Sequence, residues 1–372
     1  MRFAYLVLRD FRNYPYLELE IPPGASLFVG PNAQGKTNLL EACYYISSLS
    51  SPRAEKESDL ARWGTGSFSL AARLEDPDKV ATVKVDTVVT PSVRRKIQLN
   101  DRRVDRKELL ALFPCVYFSP DDLYIVKGGS SLRRKLIDSI LSRQDPVYAR
   151  TLQRYNDAVS RRNTALKLAA GDPSWRRTLE TLDELVVNLG SRLLLRRLEL
   201  MEDLSGYTQS TYKFVANGDC SVTYTSTVGE IAPDLKQIRS RFQARLTELR
   251  HEEFERGITL SGPHRDDLEI SLNGKSFRYF GSQGQQRSVM LALKMAEARC
   301  LQQSFGTRPV LLLDDVFSEL DPEKKSKVLS LCDFGYQVLM TSTELPRHTG
   351  PRFSLFRVEN NTVKPMGTGN LR

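Results

Sequence analysis

The stretch Gly30-Pro31-Asn32-Ala33-Gln34-Gly35-Lys36-Thr37 has the composition and spacing of a phosphate-binding P-loop. The apolar residues 25–29 before it predict a short buried strand, and residues 37–46 predict a helix after it. Glycines let successive backbone N–H groups turn inward around a phosphate chain, and the N-terminus of the helix favours negative charge. We therefore expect Lys36 beside the outer phosphates of a nucleotide and the hydroxyl of Thr37 beside Mg²⁺.

A second apolar segment ends in two carboxylates. Residues 310–315 read VLLLDD, which predicts a buried strand followed by Asp314 and Asp315. A P-loop site needs such a strand, because carboxylates at its end can hold a metal ion and a water molecule near the phosphates. A chance match to a short pattern would explain the loop alone. The two segments together predict a nucleotide-binding α/β domain.

The composition is that of an ordinary globular protein. With 372 residues, 40% of them hydrophobic, the chain can bury a sizeable core in one large or two moderate domains. The five cysteines include no C-x-x-C pair and the three histidines lack metal-ligand spacing, which argues against disulfide and zinc frameworks. No apolar run reaches the roughly 18 to 20 residues that span a bilayer, so we expect a cytoplasmic location and no membrane partner.

The pattern of the chain changes twice. Residues 1–130 contain the P-loop and a β-rich segment, 81–104, with period-two alternation. Residues 131–255 are mainly helical, with apolar residues at steps of three and four. In residues 256–372 β character returns, and alternation around Asn273-Gly274 predicts a tight hairpin. We therefore predict a discontinuous α/β ATPase domain with a mixed sheet, interrupted by an inserted helical lobe.

The motif Ser282-Gln283-Gly284-Gln285 opens an amphipathic helix and resembles the signature motif of ABC-type ATPases. A serine hydroxyl, a glycine amide and a helix N-terminus are suited to binding an anion. In ABC-type ATPases that anion is the γ-phosphate on the other subunit's P-loop, so the resemblance implies a homodimer that encloses two ATP molecules. A plain helix N-cap is the alternative interpretation of the same residues.

The same resemblance implies roles for other residues. Asp314 would hold Mg²⁺ with Thr37, directly or through water, and Asp315 would activate or orient the attacking water. The sequence Ser318-Glu319-Leu320-Asp321 resembles the D-loop of this superfamily. Asp321 would then reach across the dimer.

Positive charge is concentrated in one region. The net charge is +9, and residues 91–200 hold 22 Lys and Arg against 13 Asp and Glu, so this segment accounts for the whole excess. A concentrated basic surface indicates a polyanion partner, because neutralised phosphates release counterions. A solvated helix face is the alternative. Basic clusters occur at 94–96, 102–103 and 106–107, but the predicted DNA contacts are pairs in the helical lobe: Arg133, Arg134, Arg161, Arg162, Arg196 and Arg197.

The assembled motifs resemble the RecF family, the bacterial recombination mediators among the SMC-like ABC ATPases. The resemblance runs nearly end to end, through residues 8–24, 30–42, 118–138, 260–270, 281–288 and 311–321. It implies an ATP-dependent dimer that binds DNA near junctions of single and double strand. With RecO and RecR, such a dimer helps RecA load onto gapped DNA during repair. No base-reading motif is present, so sequence-nonspecific binding is expected.

The chain departs from the ABC-type pattern at several positions. Asp315 is one methylene shorter than the glutamate of most ABC transporters, so we expect slow hydrolysis. Residues 117–123 offer no Q-loop glutamine, and residues 337–345 offer no switch histidine. Ala33 replaces a glycine that is frequent in the family, and it requires a backbone angle that alanine tolerates.

Several interpretations stay open. Arg12 and Asn13 resemble positions that contact ATP in related heads, but an arginine in an exposed loop fits a structural salt bridge equally well. The role of His264 within Gly262-Pro263-His264-Arg265-Asp266-Asp267 does not follow from the residues. A transporter-type ATPase subunit, a P-loop kinase and an SMC-like tether are the alternative functions.

Overall fold

The structure of the protein is a computed structural model, which describes residues 1–110, 112–169, 175–277, 281–315, 322–330, 332, 335–345 and 353–368. The chain divides into two compact units: Met1–Asp122 with Leu301–Arg372, and Leu123–Cys300. The predicted parts were 1–130, 131–255 and 256–372. The second unit thus extends past the predicted helical lobe and includes the start of the helix that carries the signature motif.

The secondary structure elements are numbered in chain order. The strands are β1 Arg2–Phe11, β2 Tyr14–Glu20, β3 Ala25–Val29, β4 Ser67–Asp76, β5 Lys79–Val88, β6 Arg94–Leu99, β7 Arg102–Val104, β8 Cys115–Phe118, β9 Cys220–Thr225, β10 Asp267–Leu272, β11 Lys275–Ser276, β12 Val310–Leu313, β13 Val338–Ser342, β14 Phe353–Glu359 and β15 Thr362–Thr368. The helices are α1 Lys36–Ser48, α2 Arg106–Leu110, α3 Leu123–Lys127, α4 Ser130–Gln144, α5 Pro146–Ala169, α6 Arg176–Ala216, α7 Leu235–Arg256, α8 Gln283–Phe305 and α9 Pro322–Leu329.

The first unit contains a mixed sheet in the order β15-β14-β3-β13-β12-β8. Only β14 and β15 pair antiparallel; the other neighbours are parallel. Every residue of β3, β12 and β13 is buried, as expected for continuous apolar runs in parallel strands that are covered on both faces. The predicted α/β fold with a mixed sheet is confirmed.

An antiparallel sheet, in the order β2-β1-β4-β5-β6-β7, completes the first unit. Buried and exposed residues alternate along β5, because one face packs on the core and the other meets solvent. Helix α1 contacts strands of both sheets. Its fully buried Leu39 and Leu40 belong to one core cluster with Phe28 of the mixed sheet and Val85 of the antiparallel sheet.

The second unit is mainly helical. The long helix α6 packs against α5 and α7, and Leu179, Val186 and Leu193 are buried at the predicted helical spacing. A small antiparallel sheet has the order β11-β10-β9, and its β10–β11 turn holds Asn273 at φ +49° and Gly274 at φ +75°. These angles are those of the predicted tight hairpin turn. Of the helices in the described parts of the chain, none combines the length and hydrophobicity of a membrane span.

Candidate nucleotide site

Parallel pairing brings the predicted nucleotide-binding segments to one edge of the mixed sheet. β13 pairs in parallel with β3 on one side and with β12 on the other, so the three strands end at the same edge. The P-loop follows β3, Asp314 follows β12, and Thr341 lies at the end of β13. Ligands of open α/β sheets bind outside the carboxyl ends of the strands. The topology therefore assembles a site from segments that are far apart in sequence.

Two glycines of the P-loop are required by the surroundings of the loop. A Cβ atom at Gly30 would collide with the carbonyl oxygen of Val358. Gly35 has φ +102°, and a Cβ atom there would lie 2.5 Å from Asn13 Nδ2 and 2.8 Å from Tyr14 Oη. Tyr14 Oη also donates a hydrogen bond to the Gly35 carbonyl at 3.0 Å. The hairpin between β1 and β2 thus supports the loop from outside.

Ala33 adopts the left-handed backbone conformation, with φ +64°. This is the conformation that a glycine takes without steric cost, which accounts for the glycine that is frequent in the family at this position. Alanine carries a Cβ atom, so the same angle costs it roughly 1 to 2 kcal/mol. The site therefore contains a small amount of backbone strain.

Lys36 is buried at the start of α1, with 5% of its surface exposed. Its ammonium group donates to the carbonyl oxygens of Gly30 at 2.7 Å and Pro31 at 2.8 Å. Burial lowers the pKa of Lys36 from its ordinary value, and the nearby carboxylates of Asp315 and Asp314 oppose this shift. These two hydrogen bonds hold the ammonium group of Lys36 against the P-loop backbone.

Asp314 is the centre of a hydrogen-bond network. Its Oδ1 accepts from Thr37 Oγ1 at 2.8 Å and from Thr341 Oγ1 at 2.8 Å. Thr341 Oγ1 in turn accepts from the backbone N–H of Asp315 at 2.9 Å. Hydroxyl and carboxylate oxygens are the ligand types that Mg²⁺ prefers. The pair of Thr37 and Asp314 therefore fits the metal that the sequence predicts.

Tyr117 completes this network and was missed by the sequence analysis. It lies on β8, the strand beside β12, and its hydroxyl donates to Asp314 Oδ2 at 2.7 Å. Burial raises the pKa of Tyr117, and the adjacent Asp314 carboxylate raises it further, so the hydroxyl stays a donor. The only sequence signal is a tyrosine in a buried strand. A buried tyrosine hydroxyl usually has a partner, but the partner cannot be read from sequence.

Arg12 forms a structural ion pair, as in the second of its two interpretations, and its contact with ATP stays a prediction. Its Nε and Nη2 each donate to the carboxylate of the fully buried Glu41 at 2.8 Å, and Nη1 donates to the Asp59 carbonyl at 2.7 Å. Asn13 accepts from Asn38 Nδ2 at 2.8 Å and donates to Asn361. Both residues brace the β1–β2 turn against α1 and the β14–β15 turn.

The signature residues lie in the second unit, at the start of α8. The backbone N–H of Ser282 donates to Gln285 Oε1 at 2.9 Å, and the N–H of Gln285 donates to Ser282 Oγ at 3.3 Å. This reciprocal pair is a capping box, so Ser282 caps α8, and contact of these residues with a nucleotide on a second copy stays a prediction. Ser282, Gln283, Gly284 and Gln285 are all exposed. The predicted D-loop residue Asp321 lies outside the described residues.

Of the six arginines that the sequence predicts as DNA contacts, three do not lie at the surface. Arg133, Arg162 and Arg197 are buried, with at most 3% of their surface exposed. Their guanidinium groups pair with carboxylates inside the second unit: Arg133 with Asp267, Arg162 with Asp183 and Glu253, and Arg197 with Asp138. In this conformation they cannot contact DNA phosphates. Arg134 is partly buried and donates to the Asp266 carbonyl, whereas Arg161 and Arg196 are exposed.

The segment Gly262–Asp267 is a partly buried turn that leads into β10 of the second unit, with Asp266 fully buried and Arg265 exposed. Asp266 accepts hydrogen bonds from Tyr224 at 2.6 Å and from the backbone and side chain of Thr227 at 2.7 Å each. His264 Nδ1 lies 2.7 Å from Tyr155 Oη, and burial is the main reason that the pKa of His264 is lowered to about 4. The neutral imidazole acts as a hydrogen-bonded turn residue here. Among the described residues no cluster suited to a metal ion forms from His, Cys, Asp and Glu side chains.

A P-loop and a carboxylate-tipped strand at the ends of parallel strands, with a signature-type helix, define an ABC-type ATPase head. The family described as RecF/RecN/SMC N terminal domain matches residues 3–347. The chain belongs to the RecF family within that group, because its curated relatives match it nearly end to end.

One relative is the DNA replication and repair protein RecF of Halothermothrix orenii, 35% identical over 96% of this chain and 97% of the relative. The RecF protein of Bacillus subtilis is 31% identical over 98% of this chain and 100% of its own. A solved structure of the recombination mediator protein RecF-ATPrS in the RecFOR pathway has a TM-score of 0.88 at 31% identity, covering 98% of each chain. An Smc head from Pyrococcus furiosus, with a TM-score of 0.54 at 16% identity, covers 98% of this chain and 95% of its own and shares the fold.

Proposed function

We propose that this chain binds ATP with Mg²⁺, forms a homodimer around the bound nucleotide, binds DNA in that state and is reset by slow hydrolysis. In this role it would act in replication-linked DNA repair and assist RecA loading together with RecO and RecR. The contact that carries the proposal is the 2.8 Å hydrogen bond between Thr37 and Asp314. It supports a shared metal site, because the P-loop hydroxyl and the carboxylate that follows β12 are close enough for one metal ion to bind both.

The residues around the loop support ATP as the nucleotide. Lys36 donates to two carbonyl oxygens of the P-loop, and the carboxylates of Asp314 and Asp315 follow β12, which ends at the same edge of the sheet. Thr37 and Asp314 would hold Mg²⁺, which would supply positive charge to offset the negative charge that develops during phosphoryl transfer. The relatives are named as replication and repair proteins, and similar solved structures are named as complexes with ATP or an analogue. These names favour the same ligand and the same process here.

The glycine at position 284 is an argument for a binding partner outside the chain. It lies in α8, its φ is not positive, and a Cβ atom there would meet no atom of the described residues within 4 Å. Neither backbone strain nor packing within this chain therefore requires a glycine. A glycine inside a helix costs about 1 kcal/mol relative to alanine. Close approach of a group from another molecule, such as a γ-phosphate on a second copy, would account for that cost.

Slow hydrolysis follows from the carboxylate at position 315. Aspartate has a shorter reach than glutamate toward a water molecule beyond the γ-phosphate, so the water would be oriented less well. Asp315 itself sits at φ +54°, which fixes its backbone in a less common conformation. Asp315→Asn would remove the general base and trap the ATP-bound dimer. Lys36→Arg would weaken ATP binding and, with it, dimerisation.

Light scattering tests the dimer directly. The protein should be a monomer with ADP and a dimer with a nonhydrolysable ATP analogue, because only the γ-phosphate links the two copies. Ser282→Arg should leave nucleotide binding intact and block the dimer. The matched control is Asp234→Arg, since Asp234 caps α7 by accepting from the N–H groups of Lys236 and Gln237. The control loses a helix cap but should still dimerise. Normal dimerisation of Ser282→Arg would refute the shared site.

A further inference from the structure

The antiparallel sheet of the first unit has a solvent face whose charge is strongly uneven. Along β5 and β6 the buried residues, such as Val85 and Ile97, alternate with residues of the opposite face. Strand pairing places Lys96 beside Asp86 and Arg103 beside Gln98 on that opposite face. The cations of this face at the β5–β7 end are called here the outer basic face: Lys84, Arg94, Lys96 and Arg103.

Three of the four cations of the outer basic face are available to a partner. Lys84, Arg94, Lys96 and Arg103 are all exposed. Within the described parts of the chain, Arg94, Lys96 and Arg103 form no ion pair, whereas Lys84 lies 3.3 Å from Asp86. Asp86 is the one acidic residue that the outer face carries along β5, β6 and β7. The anionic residues Glu18 and Glu20 lie on β2, at the far edge of the same sheet.

A second group of cations lies at the same end of the sheet but is not part of the outer basic face. Arg95 points toward the core side and pairs with Glu57 and the hydroxyl of Tyr45. Arg102 pairs with Glu108. The pKa of Arg106 is lowered, mainly by burial and then by the positive charge of Arg95. Arg95 and Arg102 are therefore engaged within the chain, on the side of the sheet away from the outer basic face.

We propose that the outer basic face binds the phosphate backbone of duplex DNA. Residues two apart on a strand lie about 7 Å from one another on one face, and neighbouring strands are about 5 Å apart, so the four side chains cover a compact area. Exposed cations are enough for this interaction, because its free energy comes largely from released counterions. The inference rests on the proposed function and replaces the lobe arginines as its DNA contacts.

The composition of the face distinguishes duplex DNA from other polyanions. Single-stranded DNA binding uses aromatic side chains on which bases stack, and the outer face of β5, β6 and β7 carries none. Protein partners need buried apolar anchors, and the exposed apolar side chains on β5 are only the two valines Val80 and Val88. The backbone of a duplex requires neither. Contacts to the phosphate backbone carry no sequence information, so binding should not depend on sequence.

The test compares two triple variants with the same change in charge. The first is Arg94→Gln with Lys96→Gln and Arg103→Gln. The control is Arg161→Gln with Arg177→Gln and Arg196→Gln, which are exposed positions on helices of the second unit. The full-length protein is titrated with a short duplex and a single strand by fluorescence anisotropy, with Mg²⁺ and a nonhydrolysable ATP analogue, at several salt concentrations. Thermal unfolding and analogue-induced dimerisation are measured on the same samples.

The first variant should bind the duplex at least about tenfold more weakly, and its salt slope should fall by about 0.9 for each phosphate that the protein no longer neutralises. Its dimerisation should not change, and the control should bind like the unaltered protein. Unchanged affinity and salt slope in the first variant would overturn the outer basic face alone. Loss of single-strand binding with duplex binding kept would overturn the choice of duplex DNA and assign the face to a single strand. Absence of duplex binding by the unaltered protein would overturn the proposed function as well.

Discussion

Tyr117 Oη donates a 2.7 Å hydrogen bond to Asp314 Oδ2, across 197 positions of sequence. The other oxygen of the same carboxylate accepts from Thr37 and Thr341, so all three hydroxyl groups fix one side chain. A carboxylate held from both sides cannot rotate freely. Partners of this kind set the orientation in which a ligand group meets its metal ion.

Tyr117→Phe should therefore raise the Mg²⁺ concentration that half-saturates ATP hydrolysis. The expected effect is about tenfold or more, as for other residues that orient a metal ligand. The control is Tyr148→Phe, which removes a buried tyrosine hydroxyl from Asp138 in the second unit and should leave the Mg²⁺ dependence unchanged. A Mg²⁺ titration of steady-state hydrolysis distinguishes them. Identical curves for Tyr117→Phe and the unaltered protein would rule out the orienting role.

The buried arginines give a prediction about stability. Arg162 is fully buried between Asp183 and Glu253, and Glu253 is itself fully buried. Arg162→Gln leaves these carboxylates without their cation, so the free energy of unfolding should fall by about 3 to 5 kcal/mol. The neighbouring Arg161 is exposed, and Arg161→Gln should change the free energy of unfolding by less than about 0.5 kcal/mol. Denaturant unfolding of both variants measures the difference, and equal small effects would contradict the buried network.

The same arginine pairs show where prediction from sequence fails. Adjacent residues on a helix point about 100° apart, so a pair such as Arg161-Arg162 sends one guanidinium outward and one inward. Charge counting treats both as surface groups. Only tertiary packing shows that Glu253, which is distant in sequence, neutralises the inward member. The total charge of the segment was therefore a poor guide to its surface charge.

The nucleotide site was largely predictable because its chemistry is local. Gly30 to Thr37 and Asp314 to Asp315 carry their function in short, contiguous patterns, and the mixed sheet follows from strands that flank them. The hydrogen bond of Tyr117 depends instead on β8 lying beside β12, which no local pattern specifies. The role of Arg12 likewise depended on Glu41, a residue in the next helix. Hydrogen-bond partners that depend on strand order and packing could not be predicted from the sequence.

Backbone strain in the P-loop predicts a stabilising substitution. Ala33 is exposed and has φ +64°, so a glycine there loses no packing and removes the steric cost of the Cβ atom. After the greater entropy of glycine in the unfolded chain is subtracted, Ala33→Gly should raise the free energy of unfolding by up to about 1 kcal/mol. The control is Ala244→Gly at an exposed position of α7, and it should lower the free energy of unfolding by about 1 kcal/mol. Chemical denaturation checks both, and a destabilising Ala33→Gly would contradict the strain.

Acid should destabilise the protein through His264. Its pKa is lowered from 6.5 to about 4, chiefly by burial, with Arg265, Arg134 and Arg162 adding to the shift. Below pH 6.5 the unfolded chain binds a proton that the folded protein does not, so the free energy of unfolding should fall by up to about 3 kcal/mol between pH 6.5 and 4. His264→Gln cannot titrate and should lose this slope, although it is less stable at pH 7. Burial raises the pKa of Asp266, which opposes the trend in both proteins, so their difference isolates the histidine. Parallel pH profiles from denaturant unfolding would show that His264 is not the titrating group.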